Sequence, residues 1–442
     1  MGFLDLEELT EDEKLLREEV HRFAEKVVRP ASIELDRMPA KERTKPDSPF
    51  FKVMKEMKKL GYHRTHLPPQ KGGIAMTPRQ RYIIFEELAW GSLGLVTALG
   101  VDMIPFTVAA FFGGEEAYQD LVVPWLEGSD IIGCWGGTEP EHGSDIIMML
   151  REDESVLEKM GKGNVVAEKD GDEWVITGQK SGWISSAPVA THCGLHAQVK
   201  GARILAHGLF CVVPLNLEGV TKGEPQEMLG MRDGPQGALF FDSVRIPEHY
   251  VVVAPGPFYG IFVDQLLCLT SVAMGAFAVG LARAAFEEAL KYARERVQGG
   301  VPLVKHKNIK LKLYEMFEKV ETARAYVRKA MEHVHKRTID SQMWDASPRH
   351  ARVAQIYAKK VAFEVANDAL QIFGAYGLHR DYLVQKLFRD ARCMLIEDGT
   401  VEVLSLEASE DIIENYEKDY YDAGRITRLF HDYLSGKGEV MT

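Results

Sequence analysis

The segment Thr138-Glu139-Pro140-Glu141-His142-Gly143-Ser144-Asp145 concentrates residue types that hold a polar ligand. Two hydroxyls, a glycine that leaves backbone exposed and several turn formers can aim N–H and O–H donors at a pyrophosphate or at the polar edge of a ring. A surface turn has the same composition, so both readings stand on these residues alone. His142 reads as a neutral turn histidine bonded to backbone, with ligand contact as the rival reading. Arg296, near the end of a long helical stretch, reads by itself as a solvated charge. Cys134, Met148 and Met149 lie close to the polar segment, but no histidine or second cysteine stands at ligand spacing. Core packing is expected of them, and no metal.

These residues need elements to place them. Thr10-x-x-Glu13 reads as a capping box, and Leu15, Val20, Phe23, Ala24 and Val27 follow at helical spacing until Pro30 ends or kinks the helix. Further helices are predicted near 50–61, 78–90 and 93–112, giving an all-helical N-terminal region over 1–130. From about 131 to 250 the texture is strand-like, with Val165–Glu168 and Trp174–Thr177 flanking the turn dipeptide Asp170-Gly171, and His207–Pro214 and Ala238–Ile246 following. Arg151–Lys162 reads as a charged insertion in that β region. Helical period returns over 251–442, with long segments near 265–297, 307–337 and 349–374 that suggest an antiparallel bundle. Leu313, Phe317, Val320, Ala323, Val327, Ala330 and Val334 form one apolar stripe. The fold class is therefore α+β and multidomain, with a middle β-barrel or sandwich.

Composition removes several function classes. The 442 residues suggest about three domains at roughly 150 each. Lysine and arginine number 53 against 65 acids, a net charge of −12, which disfavours nucleic acid as a partner. Five dispersed cysteines without a CxxC pair and an acidic start fit a reducing, cytoplasmic setting. The uncharged run 265–282 has a membrane span's minimal length but few large apolar residues, so a buried core helix is expected.

The polar segment resembles the TEPxxGSD signature of the acyl-CoA dehydrogenase family, flavoproteins that desaturate CoA thioesters. Other pieces follow in family order: Trp183-Ile184-Ser185 is similar to the WIT/WIS strand, and Gly230-Met231-Arg232 through Pro247 to the closing β segment. Glu295-Arg296 resembles ERxxFG, Gln371-Ile372-Phe373-Gly374 resembles QIFGGxG, and Arg389-Asp390-Ala391 precedes a version of YEGT. The resemblance implies an N-terminal helical domain, a middle β domain and a C-terminal four-helix bundle, usually tetrameric, with FAD at a subunit interface and an electron-transfer flavoprotein as partner. It implies that Thr138 and Ser144 bond the flavin and its phosphates and that Trp183 and Ser185 lie against the ring. Arg296, Gln371, Gly374 and Thr400 would address the FAD of a neighbouring subunit. Gly137, Gly182 and Gly299 depart from the family pattern, Gly182 as an extra residue before Trp183.

In that family a carboxylate takes the proton α to the thioester carbonyl while a hydride leaves the β carbon for flavin N5. So weak an acid requires preorganised donors for the enolate oxygen and a base of suitable pKa within hydrogen-bond reach. Burial supplies such a base by raising a carboxyl's pKa. YEGT reads Glu397-Asp398-Gly399-Thr400 here, so the resemblance puts Asp398 in the base position. Its side chain is one methylene, about 1.5 Å, shorter than glutamate, and a misplacement of roughly 1 Å can cost about a hundredfold in rate. Glu397 is the rival, although consecutive side chains diverge. Thr270 matches the place where some members carry their glutamate on an earlier helix, and it cannot act as a base. Ser271 follows where arginine is frequent, removing a charge expected near the loop.

Glu86-Glu87-Leu88-Ala89-Trp90-Gly91 resembles the ELAYG of medium-chain enzymes, whose helix borders the acyl pocket. Val96 and Gly100 stand where those enzymes carry larger polar residues, leaving room, with Glu397 as a further pocket residue. Together with Asp398 they suggest a cyclic or branched acyl group such as an alicyclic carboxyl-CoA. Two other readings remain from the same residues: different flavin chemistry on a CoA thioester, as an oxidase or a 1,4-elimination on a ring, and a flavin-binding relative kept for complex assembly without turnover.

Overall fold

The computed structural model describes residues 6–128, 130–148, 162–202 and 207–416. Thr10 caps the first helix, α1 (Glu11–Phe23), and its box with Glu13 closes in both directions. The helix does not stop at Pro30. One wide π turn, Ala24–Val28, carries the chain into α2 (Arg29–Arg37), where the proline falls at the helix start and its missing N–H costs nothing. After α3 (Pro49–Lys59) come α4 (Pro78–Gly91) and α5 (Leu93–Phe112). Both are largely buried, α5 because it is apolar on every face and α4 because its acids find ionic partners inside.

Eight strands follow: β1 (Gly133–Gly136), β2 (Val166–Asp170), β3 (Glu173–Ser185), β4 (His192–Val199), β5 (Gly208–Pro214), β6 (Val220–Lys222), β7 (Gln236–Pro247) and β8 (Val251–Val253). They form one sheet in the order β6-β7-β3-β2-β4-β5-β8, with β1 parallel to β4. The β2–β3 hairpin turns at Gly171, whose φ of 64° suits glycine. The register of β3 against β7 slips between Lys180 and Ile184, so residues 181–183 face Ala238 alone. Gly182, the residue extra to the family pattern, lies in this bulge. Residues 151–161 of the charged insertion lie outside the described residues.

The last third is helical: α6 (Pro257–Glu295), α7 (Lys307–His335), α8 (Pro348–Phe373), α9 (Leu383–Met394) and α10 (Val401–Asn415). The apolar run 265–282 lies inside α6, and 89% of that helix's most apolar window is buried in the protein. On α7 the stripe is as predicted except at Phe317, which is 41% exposed; Met316 is buried in its place. α6 packs on α8, α4 and α7. A Cβ at Gly280 would stand 2.3 Å from the Glu86 carbonyl, so glycine is what lets α4 and α6 approach. That crossing is locked by ions: Arg283 reaches Glu86 at 2.6 Å and Glu87 at 2.8 Å, and Arg324 reaches Glu86 at 2.9 Å.

Candidate active site

A cavity of about 1120 Å³ opens where α5, the sheet, α6 and the α9–α10 loop meet. The polar segment forms one wall. Glu139 is its anchor: it is buried, pairs with Lys180 at 2.8 Å, and accepts from the backbone N–H groups of Asn164 and Val165. Lys180 also donates to the Gly137 carbonyl, and Ser181 N–H donates to the Thr138 carbonyl, so the β3 bulge holds the turn in place. The bulge also throws Trp183 outward, leaving its ring 61% exposed at the cavity wall. Thr138, Ser144, Trp183 and Ser185 all line this space.

Two observations fit a flat ring system there. A Cβ on Gly137 would meet nothing within 4 Å among the described residues, and Trp135 lines the cavity with a buried indole N–H that has no partner among them. Such donors find a partner in nearly every folded protein. Thr138, Ser144 and Ser185 add hydroxyls, so the donor set suits FAD.

His142 bonds to backbone, as the turn reading has it, and to a carboxylate besides. Its Nδ1 stands 2.7 Å from an Asp145 oxygen and its Nε2 3.2 Å from the Lys162 carbonyl, so both nitrogens face acceptors. Burial opposes the charged ring, but those two bonds outweigh it and raise the pKa. The histidine is therefore an internal strut of the segment.

The opposite wall is the loop 395–400. Thr400 accepts from Val403 N–H as the N-cap of α10, and its own N–H donates to Ser144 Oγ at 2.9 Å. It thus belongs with this chain's own polar segment rather than with Arg296, Gln371 and Gly374. Those three are exposed at the ends of α6 and α8, away from the cavity. There the Arg296 guanidinium lies 5.3 Å from the centre of the Tyr376 ring.

Asp398 and Glu397 both line the cavity. Asp398 has φ 53°, a left-handed conformation that aspartate tolerates better than most residues, followed by Gly399 at 86°. Burial raises its carboxyl pKa against the pull of Lys359 and Arg352 and the bonds from Thr270 and Gln355. Glu397 is pushed up to about 7, chiefly by burial and only partly offset by Lys359; Ser185 Oγ is 3.5 Å from one of its oxygens and the other has no hydrogen-bond partner among the described residues. Two neighbouring carboxyls of raised pKa in one cavity are suited to proton transfer near neutral pH.

The charge missing at Ser271 is supplied from another helix. Arg352 of α8 donates to Ser271 Oγ at 2.5 Å, and Lys359 lies beneath the loop. Neither residue emerged from the sequence as part of the site. The available signal was three polar residues, Arg352, Gln355 and Lys359, at spacings of three and four along a face otherwise filled by buried alanines.

The apolar end of the cavity is lined by Gly100, Ile104, Ala273, Met274, Phe85 and Phe277. Gly100 borders it as expected, with the Phe277 ring 3.5 Å from where a Cβ would stand. Val96 does not: it is fully buried in the core, one residue before the cavity-facing Thr97.

Family models of the acyl-CoA dehydrogenase N-terminal, middle and C-terminal domains match residues 10–129, 134–244 and 263–412. The chain is 28% identical over 412 residues to a mitochondrial short-chain specific acyl-CoA dehydrogenase of Rattus norvegicus, covering 92% of each. It is also 28% identical over 401 residues to a glutaryl-CoA dehydrogenase of Desulfococcus multivorans, covering 90% of this chain and 95% of that one. A solved glutaryl-CoA dehydrogenase in complex with glutaryl-CoA is similar in structure, with TM-score 0.79 and 26% identity over 94% of this chain and 97% of the other. With all three domain types matched in order, and with paired carboxyls facing a hydroxyl-lined turn across one cavity, the chain belongs to the acyl-CoA dehydrogenase family of FAD-dependent oxidoreductases.

Proposed function

We propose that this enzyme dehydrogenates a cyclic or branched acyl-CoA with Asp398 as the base, works as a homotetramer and passes electrons to an electron-transfer flavoprotein. One observation carries the reading: a half-buried aspartate of raised pKa shares a cavity with Thr138, Ser144, Trp183 and Ser185. Thr138 and Ser144 would hold the flavin and its phosphates, with Trp183 and Ser185 against the ring. Bound FAD supplies the hydride acceptor of this chemistry. The protein's own part is to hold the Asp398 carboxylate ready for the α proton and to keep the cavity dry around it. Arg296, Gln371 and Gly374, exposed and apart from the cavity, suit the FAD of a neighbouring subunit. The free cysteines support a reducing, cytoplasmic setting.

The acyl end favours an uncharged group. Among the described residues lining the Phe85–Phe277 end, His66 is the titratable one, and burial pushes its pKa down to about 3. It therefore offers no cation to a terminal carboxylate. Gly100 and the aromatic walls leave width for a ring.

Anaerobic bleaching of the flavin band at about 450 nm tests this. Cyclohexanecarboxyl-CoA or a cyclohexenecarboxyl-CoA is expected to bleach the enzyme faster than straight-chain thioesters of equal carbon number; the reverse order removes the cyclic reading. Asp398→Asn should retain FAD and lose bleaching by about a thousandfold, within the range a positioned general base contributes. Rapid peroxide release in air would point to an oxidase, and no bleaching by any thioester to an assembly role.

A further inference from the structure

An aspartate doing a glutamate's work needs support that brings the shorter carboxylate to the reacting carbon and keeps it there. The surroundings of Asp398 show where that support comes from. Gln355 Nε2 donates to the Asp398 carbonyl at 2.9 Å and to its carboxylate Oδ2 at 3.0 Å, fixing main chain and side chain together. One turn further along α8, Lys359 is fully buried and donates to the carbonyls on either side, Glu397 O at 2.5 Å and Gly399 O at 3.1 Å. Three consecutive carbonyls of the loop are thus held from one helix face, and the loop carries a left-handed aspartate that would otherwise be strained.

We propose that Gln355 and Lys359 are positioning residues for proton abstraction, the amide fixing the Asp398 carboxylate and the buried ammonium serving as its counter-charge. This rests on the reading of Asp398 as the base. The groups that face Asp398 are few. From α8 come Lys359 and Arg352, from α6 Thr270, and within the loop Glu397. Arg352 is already engaged by Glu407 of α10 at 2.7 Å and by the Leu267 carbonyl at 3.0 Å. Lys359 is accordingly the larger cationic influence on Asp398.

The arrangement also has a limit built into it. Burial lowers Lys359 itself to about 8, with Asp398 and Glu397 pulling the other way, so the ammonium holds its proton through the neutral range. Removing it would leave Asp398 with burial less opposed, and its carboxyl would titrate higher.

The test is the rate of anaerobic flavin bleaching against pH at saturating thioester, on the FAD-loaded enzyme. Lys359→Met should move the acid limb up by about one pH unit, the low end of the effect of an adjacent opposite charge. Lys359→Arg should restore the limb to its original pH. Gln355→Met should lower the saturating rate about tenfold without changing the half-saturating thioester concentration, because it disturbs the base and not the binding. An unmoved limb in a Lys359→Met enzyme that retains FAD overturns the inference. Should that variant lose FAD, an undiminished rate in Gln355→Met overturns it instead. Asp398→Asn separates the two levels. If that variant bleaches normally, the base assignment fails and takes this inference with it; if it is inert while the Lys359→Met limb stays put, only the inference fails.

Discussion

The chain desolvates two pairs of consecutive acids, and they end in opposite states. Glu86 and Glu87 on α4 are nearly inaccessible, which alone would raise their pKa values, yet Arg324, Arg283 and Arg328 hold Glu86 well below the carboxylate range. Arg283 and His21 do the same for Glu87. Glu397 and Asp398 are half-buried at the cavity wall, and a lysine of lowered pKa and an arginine committed elsewhere oppose their desolvation only in part. Desolvation therefore acts against the charge of both pairs, and the guanidinium groups in direct contact with the first pair set them apart. One pair is a permanent anion that fastens helices. The other is left able to take up a proton, and its cavity position makes that useful.

Changing one member of each pair should pull them further apart. Glu86→Gln leaves Arg324 and Arg283 buried with less than their full counter-charge, and urea unfolding should show a loss of about 3–5 kcal/mol. Glu397→Gln should do the opposite. Its folded pKa of about 7 lies above the ordinary value near 4.3, so the ionised side chain costs stability that accumulates as pH rises between those values. The variant should melt about 2–4 °C higher than the parent at pH 8, with the difference gone at pH 4. If its melting temperature falls at pH 8, Glu397 is a stabilising anion and the contrast is lost. His21→Gln gives the smallest change, about 1 kcal/mol, since it removes one bond to Glu87 while Arg283 remains.

Much of the architecture could be read from local chemistry. The Thr10–Glu13 box, the Gly171 turn and the helices of the bundle depend on residues close in sequence, and each is found near its expected place. Where the reading failed, the cause lay in contacts from afar or in backbone geometry. Pro30 is accommodated by a π turn several residues earlier, which apolar period does not reveal. Phe317 and Met316 are neighbours of similar apolarity, and which one turns inward depends on the helices facing α7. His142 gains its second bond because Lys162, twenty residues away, turns its carbonyl toward it. The acid at position 398 was legible from its motif. Its support was not, since Arg352 is 81 residues from the serine it contacts and Lys359 is 38 from the loop it carries.

Helix α6 ties these observations to the way the chain must be assembled. Its 39 residues make a rod of about 58 Å, and it brings to α4 the Arg283 that neutralises Glu86 and Glu87. On a growing chain the first helices leave the ribosome well before Arg283 and Arg324 have been made. The ion pairs that hold Glu86 and Glu87 in the interior are therefore completed only by residues made 196 to 238 positions further along the chain.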